Sequence, residues 1–286
     1  MKTFNNAKRK LQWAGLVSTA WLVSFAAPLP AHAQEMADGV QPTYADLVDY
    51  ADPAQIVVKA QIRKQATVKP ERAPGLAPGH ARVYIEARTE ALLSGDVPVG
   101  ESLKYLVDVP LTAKGRVPKL KKRDVLLFGR AVPGQPGEVQ LSGPSSQLLW
   151  SPDLEQRLRP ILAALVAADT PAKVIGIRDA LSIEGNLAGE SETQIFLATR
   201  NNDPVSINIR RAPGQQPEWG VSWTEIVDQA ARPPRPDTLE WYRLACFLPT
   251  TLPDDAILAR DAASIERTRE DYAFVRAALG ECVRNR

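Results

Sequence analysis

Short runs of β-branched and aromatic residues, each bounded by clusters of proline, glycine and aspartate, are the feature that most constrains the fold of this chain. Such residues favour strands, and the bounding residues favour turns. The pattern predicts five strands in the first half of the chain: Gln55–Val68, Ala81–Leu93, Glu101–Leu111, Asp124–Ala131 and Glu138–Ser142. Short strands with uneven connections predict a small antiparallel barrel of the OB type.

The order of these runs resembles that of the netrin-like and tissue-metalloproteinase-inhibitor OB modules. The resemblance rests on Ile56–Ile62 (IVVKAQI) as the opening strand, on Leu126–Gly129 (LLFG), and on Val139–Ser142 (VQLS) before a helix. It covers about residues 50–165 and implies the OB barrel. The chain lacks the cysteines that staple those modules, including the N-terminal one that the inhibitors use against a metal. Inhibitory activity is therefore not carried over.

The second half of the chain mixes helices and strands. Pro152 suits the first turn of a helix that ends before Thr170, and Pro160 is expected to kink or divide that helix. Further strands are predicted at Lys173–Glu184, Glu192–Thr199 and Val205–Arg211, and further helices at Tyr44–Tyr50, Thr224–Ala231, Asp237–Phe247 and Asp254–Gly280. We therefore predict an α+β protein, with an OB-like barrel domain over 34–150 and a domain of a small sheet plus helices over 151–286.

The first 33 residues have the pattern of a secretory signal peptide. A basic head ending at Lys10 precedes an apolar stretch from Leu11 to Leu29, and Ala31-His32-Ala33 supplies the small residues that signal peptidase requires. Cleavage is expected after Ala33. Gln34 rather than cysteine follows, so we expect no lipid anchor. The pattern predicts an exported, periplasmic protein, with full secretion as the alternative.

Removing this segment changes the charge. The chain has 35 Lys+Arg against 33 Asp+Glu, and four of the bases precede Leu11, which leaves 31 against 33 in the mature protein. A slightly acidic protein has no global attraction to nucleic acid. No later apolar run approaches the roughly 18 residues that a membrane span needs, so we expect neither nucleic-acid binding nor stable membrane insertion.

Cysteine and histidine are too scarce for most metal sites. His80 is the only histidine after the signal peptide, and Cys246 and Cys282 are the only cysteines. A zinc site needs about four such ligands, or three and a water, so we predict no metal and no cofactor. An even number of cysteines in an oxidising compartment favours a Cys246–Cys282 disulfide over two free thiols.

Three carboxylates, Glu184, Glu190 and Glu192, flank one glycine-containing loop. Two carboxylates held at a suitable separation can hydrolyse a glycosidic bond, one as the acid and the other as base or nucleophile. A calcium site and a solvated hairpin loop are the alternatives.

Two further clusters are candidate binding surfaces. The segment Lys119–Arg123 is the densest basic cluster, and its Lys121, Lys122 and Arg123 could contact an anionic envelope polymer or lipid, although a solvated loop explains them as well. Trp219 and Trp223 could stack on a sugar or enter a pocket of a partner, or could pack in the core.

The sequence contains neither the G-x-S-x-G motif of serine hydrolases nor a phosphate-binding glycine loop. We therefore predict a non-catalytic envelope protein that binds a protein or a glycan. The alternative is a metal-independent hydrolase of envelope polysaccharide that uses the acids of the 184–192 loop.

Overall fold

The computed structural model describes residues 41–135, 137–224 and 231–285. Four α-helices and ten strands lie in these ranges, and the strands form two antiparallel sheets. The predicted α+β class is confirmed. The signal-peptide segment and most of the predicted helix at Thr224–Ala231 lie outside the described residues. None of the helices within the described ranges is both long enough and apolar enough to cross a membrane.

The first sheet contains the predicted strands, whose ends differ from the prediction by one residue or not at all. It follows helix α1 (Tyr44–Ala51) and consists of β1 (Ile56–Thr67), β2 (His80–Ser94), β3 (Ser102–Pro110), β4 (Asp124–Ala131), β5 (Val139–Leu141) and a further strand β6 (Gln147–Leu149). Its order is β3-β2-β1-β4-β5, with β6 also pairing with β4. An isolated parallel bridge joins Lys104 of β3 to Glu138, next to β5.

Strand β1 is the centre of this sheet. It pairs with β2 from Val57 to Thr67, while only its first half, from Ile56 to Gln61, pairs with β4. The pairing with β2 contains three register shifts. Such bulges bend a strand and increase its twist, which allows one strand to serve two neighbours that diverge.

The second sheet follows helix α2 (Pro152–Val166). Its strands are β7 (Val174–Glu184), β8 (Ser191–Thr199), β9 (Ser206–Arg211) and β10 (Glu218–Ser222), in the order β10-β9-β8-β7. The strands predicted at Glu192–Thr199 and Val205–Arg211 are confirmed as β8 and β9, which pair antiparallel; Asn202 between them has the left-handed backbone (φ 60°) that asparagine tolerates in turns. Helices α3 (Leu239–Ala245) and α4 (Ala262–Leu279) complete the fold.

Residues 41–286 form one compact unit with two apolar cores. The first core lies on one face of the first sheet and includes Ile56, Val58 and Leu127. The second core includes Val57, Leu126 and Phe128 from the opposite face of the same strands, together with the helices and the second sheet. This second core contains residues from both sides of position 150, where the sequence suggested a domain boundary; the division into two domains stays a prediction.

Four features of the second half differ from the sequence expectation. Helix α3 is capped by Thr238, whose hydroxyl accepts from the amide of Trp241 at 3.2 Å, because Asp237 has φ 56°. Helix α4 starts at Ala262, not Asp254, since the amide of Leu258 donates to Ala180 of β7 (2.9 Å). Pro160 lies within α2 without ending it. Strand β10 was not predicted.

Helix α4 is held against the second sheet by a buried ion pair. Asp271 is fully buried and accepts hydrogen bonds from Arg211 Nε (2.6 Å) and Thr193 Oγ1 (2.5 Å). A buried carboxylate is tolerated when charge and hydrogen bonds compensate its lost hydration. The three side chains therefore fix the position of α4 on β8 and β9.

A second ion-pair cluster joins α1 to α3. Arg243 is 3% exposed and donates to both carboxylate oxygens of Asp52, at 3.0 and 3.1 Å, while Lys173 Nζ lies 2.9 Å from the same carboxylate. Burial alone would raise the pKa of Asp52. The hydrogen bonds and positive charges of Arg243 and Lys173 outweigh that effect and hold this pKa below its ordinary value.

The Cys246–Cys282 disulfide is confirmed. It joins the end of α3 to the segment after α4. In the chain-entropy model, a link across 36 positions restricts the unfolded chain, so we expect Cys246→Ser/Cys282→Ser to lower the free energy of unfolding by about 3 to 4 kcal/mol. Urea unfolding of the purified variant measures this loss. Wild-type protein treated with a thiol reductant is the control and should show a similar decrease; unchanged stability in both would contradict the expectation.

The Asp52 cluster should make stability depend on acid pH. A carboxyl whose pKa is lowered by folding stabilises the native state above its unfolded pKa of about 4, and this contribution is lost as the pH falls through the folded value. We expect Asp52→Asn to cost about 3 kcal/mol at neutral pH, because it leaves Arg243 buried without its counter-charge. The difference from wild type should shrink as the pH falls. Urea unfolding at several pH values tests this, with exposed Asp169→Asn as the control that should show no such trend.

Candidate functional site

A groove of about 640 Å³ lies where strand β3 runs beside the segment 138–144. The two segments are joined by hydrogen bonds from the amide of Lys104 to Gly137 (2.8 Å) and from the amide of Asp108 to Pro144 (2.7 Å). The groove is lined by outward-facing side chains of β2 and β3 and by residues of the 138–144 segment. Its volume is in the range of small-ligand sites.

The centre of the groove is apolar. Tyr84 and Leu106 are opposite each other in the β2–β3 pairing, and both face outward because their neighbours Val83, Ile85 and Val107 fill the core. Leu106 is 49% exposed, and Tyr84 is half-buried. A half-buried ring beside an exposed leucine gives this surface an apolar patch with a polar border.

One border of the patch is an ion pair. Arg82 donates to Asp108 through Nε (2.7 Å) and Nη2 (2.8 Å), and its Nη1 donates to the carbonyl of Pro74 (3.2 Å) in the β1–β2 connection. The hydrogen bonds to Asp108 raise the pKa of Arg82, which stays cationic at every accessible pH. The planar guanidinium is therefore held in one orientation at the groove.

The opposite border carries an amide and further charged groups. Gln140 of β5 is exposed, and its Oε1 accepts from Arg130 at 3.1 and 2.7 Å, which orients the amide. Lys104 and Glu138 stand beside it at the parallel bridge. Planar hydrogen-bonding groups around an aromatic ring are suited to a hydroxyl-rich ligand, since the ring covers its apolar face while the amide and guanidinium orient its hydroxyls.

The acidic loop lines a different cavity, of about 460 Å³, on the second sheet. Glu184 pairs with Ser191 in the β7–β8 register and reaches Arg267 of α4 (3.0 Å). Glu192 is one position further along β8 and accepts from Gln194 (3.0 Å). Because successive strand residues point to opposite faces, the side chains of Glu184 and Glu192 leave the hairpin on opposite faces.

Glu190 is used by the loop itself. Its Oε2 accepts from the amide of Leu187 at 3.2 Å, and its side chain lies over Gly185, where an added Cβ would be 2.4 Å from the glutamate Cγ. Gly185 is thus required for this close approach. The hydrolase hypothesis stays a prediction, but each of its three carboxylates already has a partner within the protein.

The other two predicted binding surfaces differ in their exposure to solvent. Trp219 pairs with Ile209 on the inner side of β10, and Trp219 and Trp223 are half-buried against the second core. Lys121, Lys122 and Arg123 are all exposed in the connection before β4. The Tyr84–Leu106 groove was not predicted from the sequence, where its one signal is an aromatic residue at an outward position of β2.

No protein-family profile matches this chain, and neither does any curated protein. Within the described ranges, no group of three or more His, Cys, Asp or Glu side chains is arranged to hold a metal ion.

The opposite-face arrangement leads to an expectation for the acidic loop. We expect Glu184→Gln/Glu192→Gln to leave any release of reducing sugar from envelope polysaccharide unchanged. Since the Glu184–Arg267 pair is largely exposed on the glutamate side, stability should change by no more than about 1 kcal/mol. A reducing-end assay and a thermal melt measure the two effects, and Glu184→Asp is the control. Loss of a measurable hydrolytic activity in the double variant would favour the hydrolase.

Proposed function

We propose that this chain is a non-catalytic exported envelope protein that binds a glycan through the groove between β3 and segment 138–144. The observation that carries the proposal is the exposed Tyr84–Leu106 patch between an oriented guanidinium, that of Arg82, and an oriented amide, that of Gln140. An apolar patch of this kind, surrounded by fixed polar groups, is characteristic of a binding site.

We propose further that the first sheet is a partly open barrel of the OB type, similar to the netrin-like modules. Three observations support it: the order β3-β2-β1-β4-β5, the parallel bridge between Lys104 and Glu138, and the bulged β1 that serves two neighbours. In OB barrels, the face of strands 2 and 3 binds oligosaccharides and oligonucleotides. The groove lies on the corresponding face.

Export to the periplasm is the third part of the proposal. The basic head, the apolar stretch and the Ala31–Ala33 cleavage motif support it, with Gln34 as the first mature residue. The disulfide also fits, because such bonds persist in oxidising compartments.

A glycan is favoured over a protein partner by the size and character of the groove. A protein partner needs about 800 Å² of surface on each side, with aromatic or arginine anchors in well-packed pockets. The patch has one aromatic ring and one exposed leucine, and both its ion pair and its amide are already oriented within the protein. These features suit a small, hydroxyl-rich ligand.

The proposal predicts that truncating the apolar patch removes binding. We expect Tyr84→Ala and Leu106→Ala each to weaken glycan binding about tenfold, since central apolar anchors contribute more than 1 kcal/mol each. Cross-linked capture of envelope material, followed by mass spectrometry of glycan and protein, identifies the ligand, and calorimetry with the captured fragment gives the affinity.

The control is Ile175→Ala, because Ile175 is equally apolar and 61% exposed but lies on β7, away from the groove. It should bind as wild type does. Capture that is equal in all three variants would contradict the proposal. Recovery of one recurrent protein and no glycan, lost in both groove variants, would assign the groove to a protein partner instead.

A further inference from the structure

Two chain segments that meet at one end of the first sheet carry an unusual excess of positive charge. The segments 62–80 and 111–123 contain ten Lys and Arg residues and one acid, Glu71. Residues 41–286 as a whole contain 31 bases and 31 acids, so the rest of the chain carries 21 bases against 30 acids. The two segments, which we call the basic end, therefore carry a net positive charge, while the rest of the chain carries a net negative charge.

Backbone contacts hold the two segments together. Lys122 donates its amide to Ile62 (2.8 Å), and Ile62 donates to Arg123 (2.9 Å). The side chain of Gln65 accepts from the amides of Leu120 (2.6 Å) and Lys121 (3.1 Å) and donates to Pro118 (3.0 Å). Further along, Leu111 donates to Gly79 (2.8 Å). The two segments are therefore adjacent, and their exposed charges lie at the same end of the first sheet.

These charges are exposed and almost unpaired. All ten basic side chains are exposed. Lys64 lies 2.9 Å from Glu86, and no carboxylate of the described residues lies within ion-pair distance of the other nine. Bringing like charges together costs electrostatic free energy, which a nearby anionic partner recovers.

The surface is suited to charge alone. The two segments contain no Phe, Tyr or Trp on which a base or a sugar could stack, in contrast to single-stranded nucleic-acid sites. Leu120 and Ala73 are buried, and the larger apolar residues Val68, Leu76, Leu111 and Val117 are partly buried. The two segments therefore expose little apolar area for insertion into a bilayer core. The two cavities described above are lined by other residues.

We propose that the basic end docks this protein on the surface of an anionic phospholipid bilayer. A bilayer surface presents many phosphate head groups at once and can engage several of the exposed bases together, whereas a single polymer chain engages only those along its path. Each Lys or Arg near such a surface contributes about fivefold in affinity, and salt weakens the attraction. None of the ten bases lines the glycan groove, although the two sites adjoin where Arg82 donates to Pro74, and the proposal does not depend on the groove.

The test is sedimentation of the exported chain with vesicles of phosphatidylglycerol and phosphatidylethanolamine, over a range of salt concentrations. Vesicles of phosphatidylcholine alone are the neutral comparison. We expect binding to the anionic vesicles only, decreasing as salt rises. Lys119→Gln/Lys121→Gln/Arg123→Gln should weaken binding about a hundredfold, following the per-residue contribution above. Lys122 is left unchanged because its backbone is left-handed (φ 69°).

The matched control is Arg200→Gln/Arg235→Gln/Arg260→Gln, which removes the same charge from three exposed arginines outside the basic end. Thermal melts confirm that both variants are folded. We expect the control to bind within about threefold of wild type, since charges beyond a Debye length contribute little. Leu106→Ala should bind vesicles as wild type does, which separates this proposal from the glycan groove.

Three results would overturn the proposal. The first is wild-type binding by the basic-end variant, and the second is an equal loss in the arginine control. The third is tight, salt-sensitive binding to a soluble anionic polysaccharide such as heparin together with weak binding to anionic vesicles, which would assign the basic end to a polymer.

Discussion

Burial of both faces of β1 and β4 is the constraint on which the rest of the structure depends. On one face of these strands, Val58 and Leu127 belong to the first core. On the opposite face, Val57, Leu126 and Phe128 belong to the second core, which the helices and the second sheet complete. Tyr50 of α1 stacks on Phe128 with ring centres 5.4 Å apart. Two apolar cores thus share two strands, and neither core could lose them without exposing its own interior to water.

Ion pairs and one disulfide then fix the relative positions of the helices and the second sheet, which the apolar cores bring together. The Asp52–Arg243 pair holds α1 to α3, the Asp271–Arg211 pair holds α4 to the second sheet, and the Cys246–Cys282 disulfide ties the last segment to α3. Buried ion pairs add little net stability, but they admit few alternative arrangements because an unpaired buried charge is costly. The apolar cores supply the driving force, and these pairs select one packing.

The outer surface of the first sheet is left free for binding by this arrangement. The helices and the second sheet cover the face of β1 and β4 that is turned away from the first core. The corresponding face of β2, β3 and β5 is open in part to solvent, and the groove lies there. The basic end follows from the same topology, because the β1–β2 and β3–β4 connections emerge together beside the end of β1. We propose that the one surface selects a glycan and the other a lipid surface.

The sequence by itself determined the elements whose signals are local. Runs of β-branched and aromatic residues between turn residues predicted the strands of the first sheet and strands β8 and β9, and the even number of cysteines predicted the disulfide. Tertiary structure decided what depends on register and long-range pairing. Ile257 and Leu258 join β7 instead of α4, Glu184 and Glu192 leave one hairpin on opposite faces, and Tyr84 meets Leu106. A one-residue change of register would move the side chains of a strand to the opposite face of the sheet. Register is set by burial of apolar side chains in the two cores, which no local segment determines.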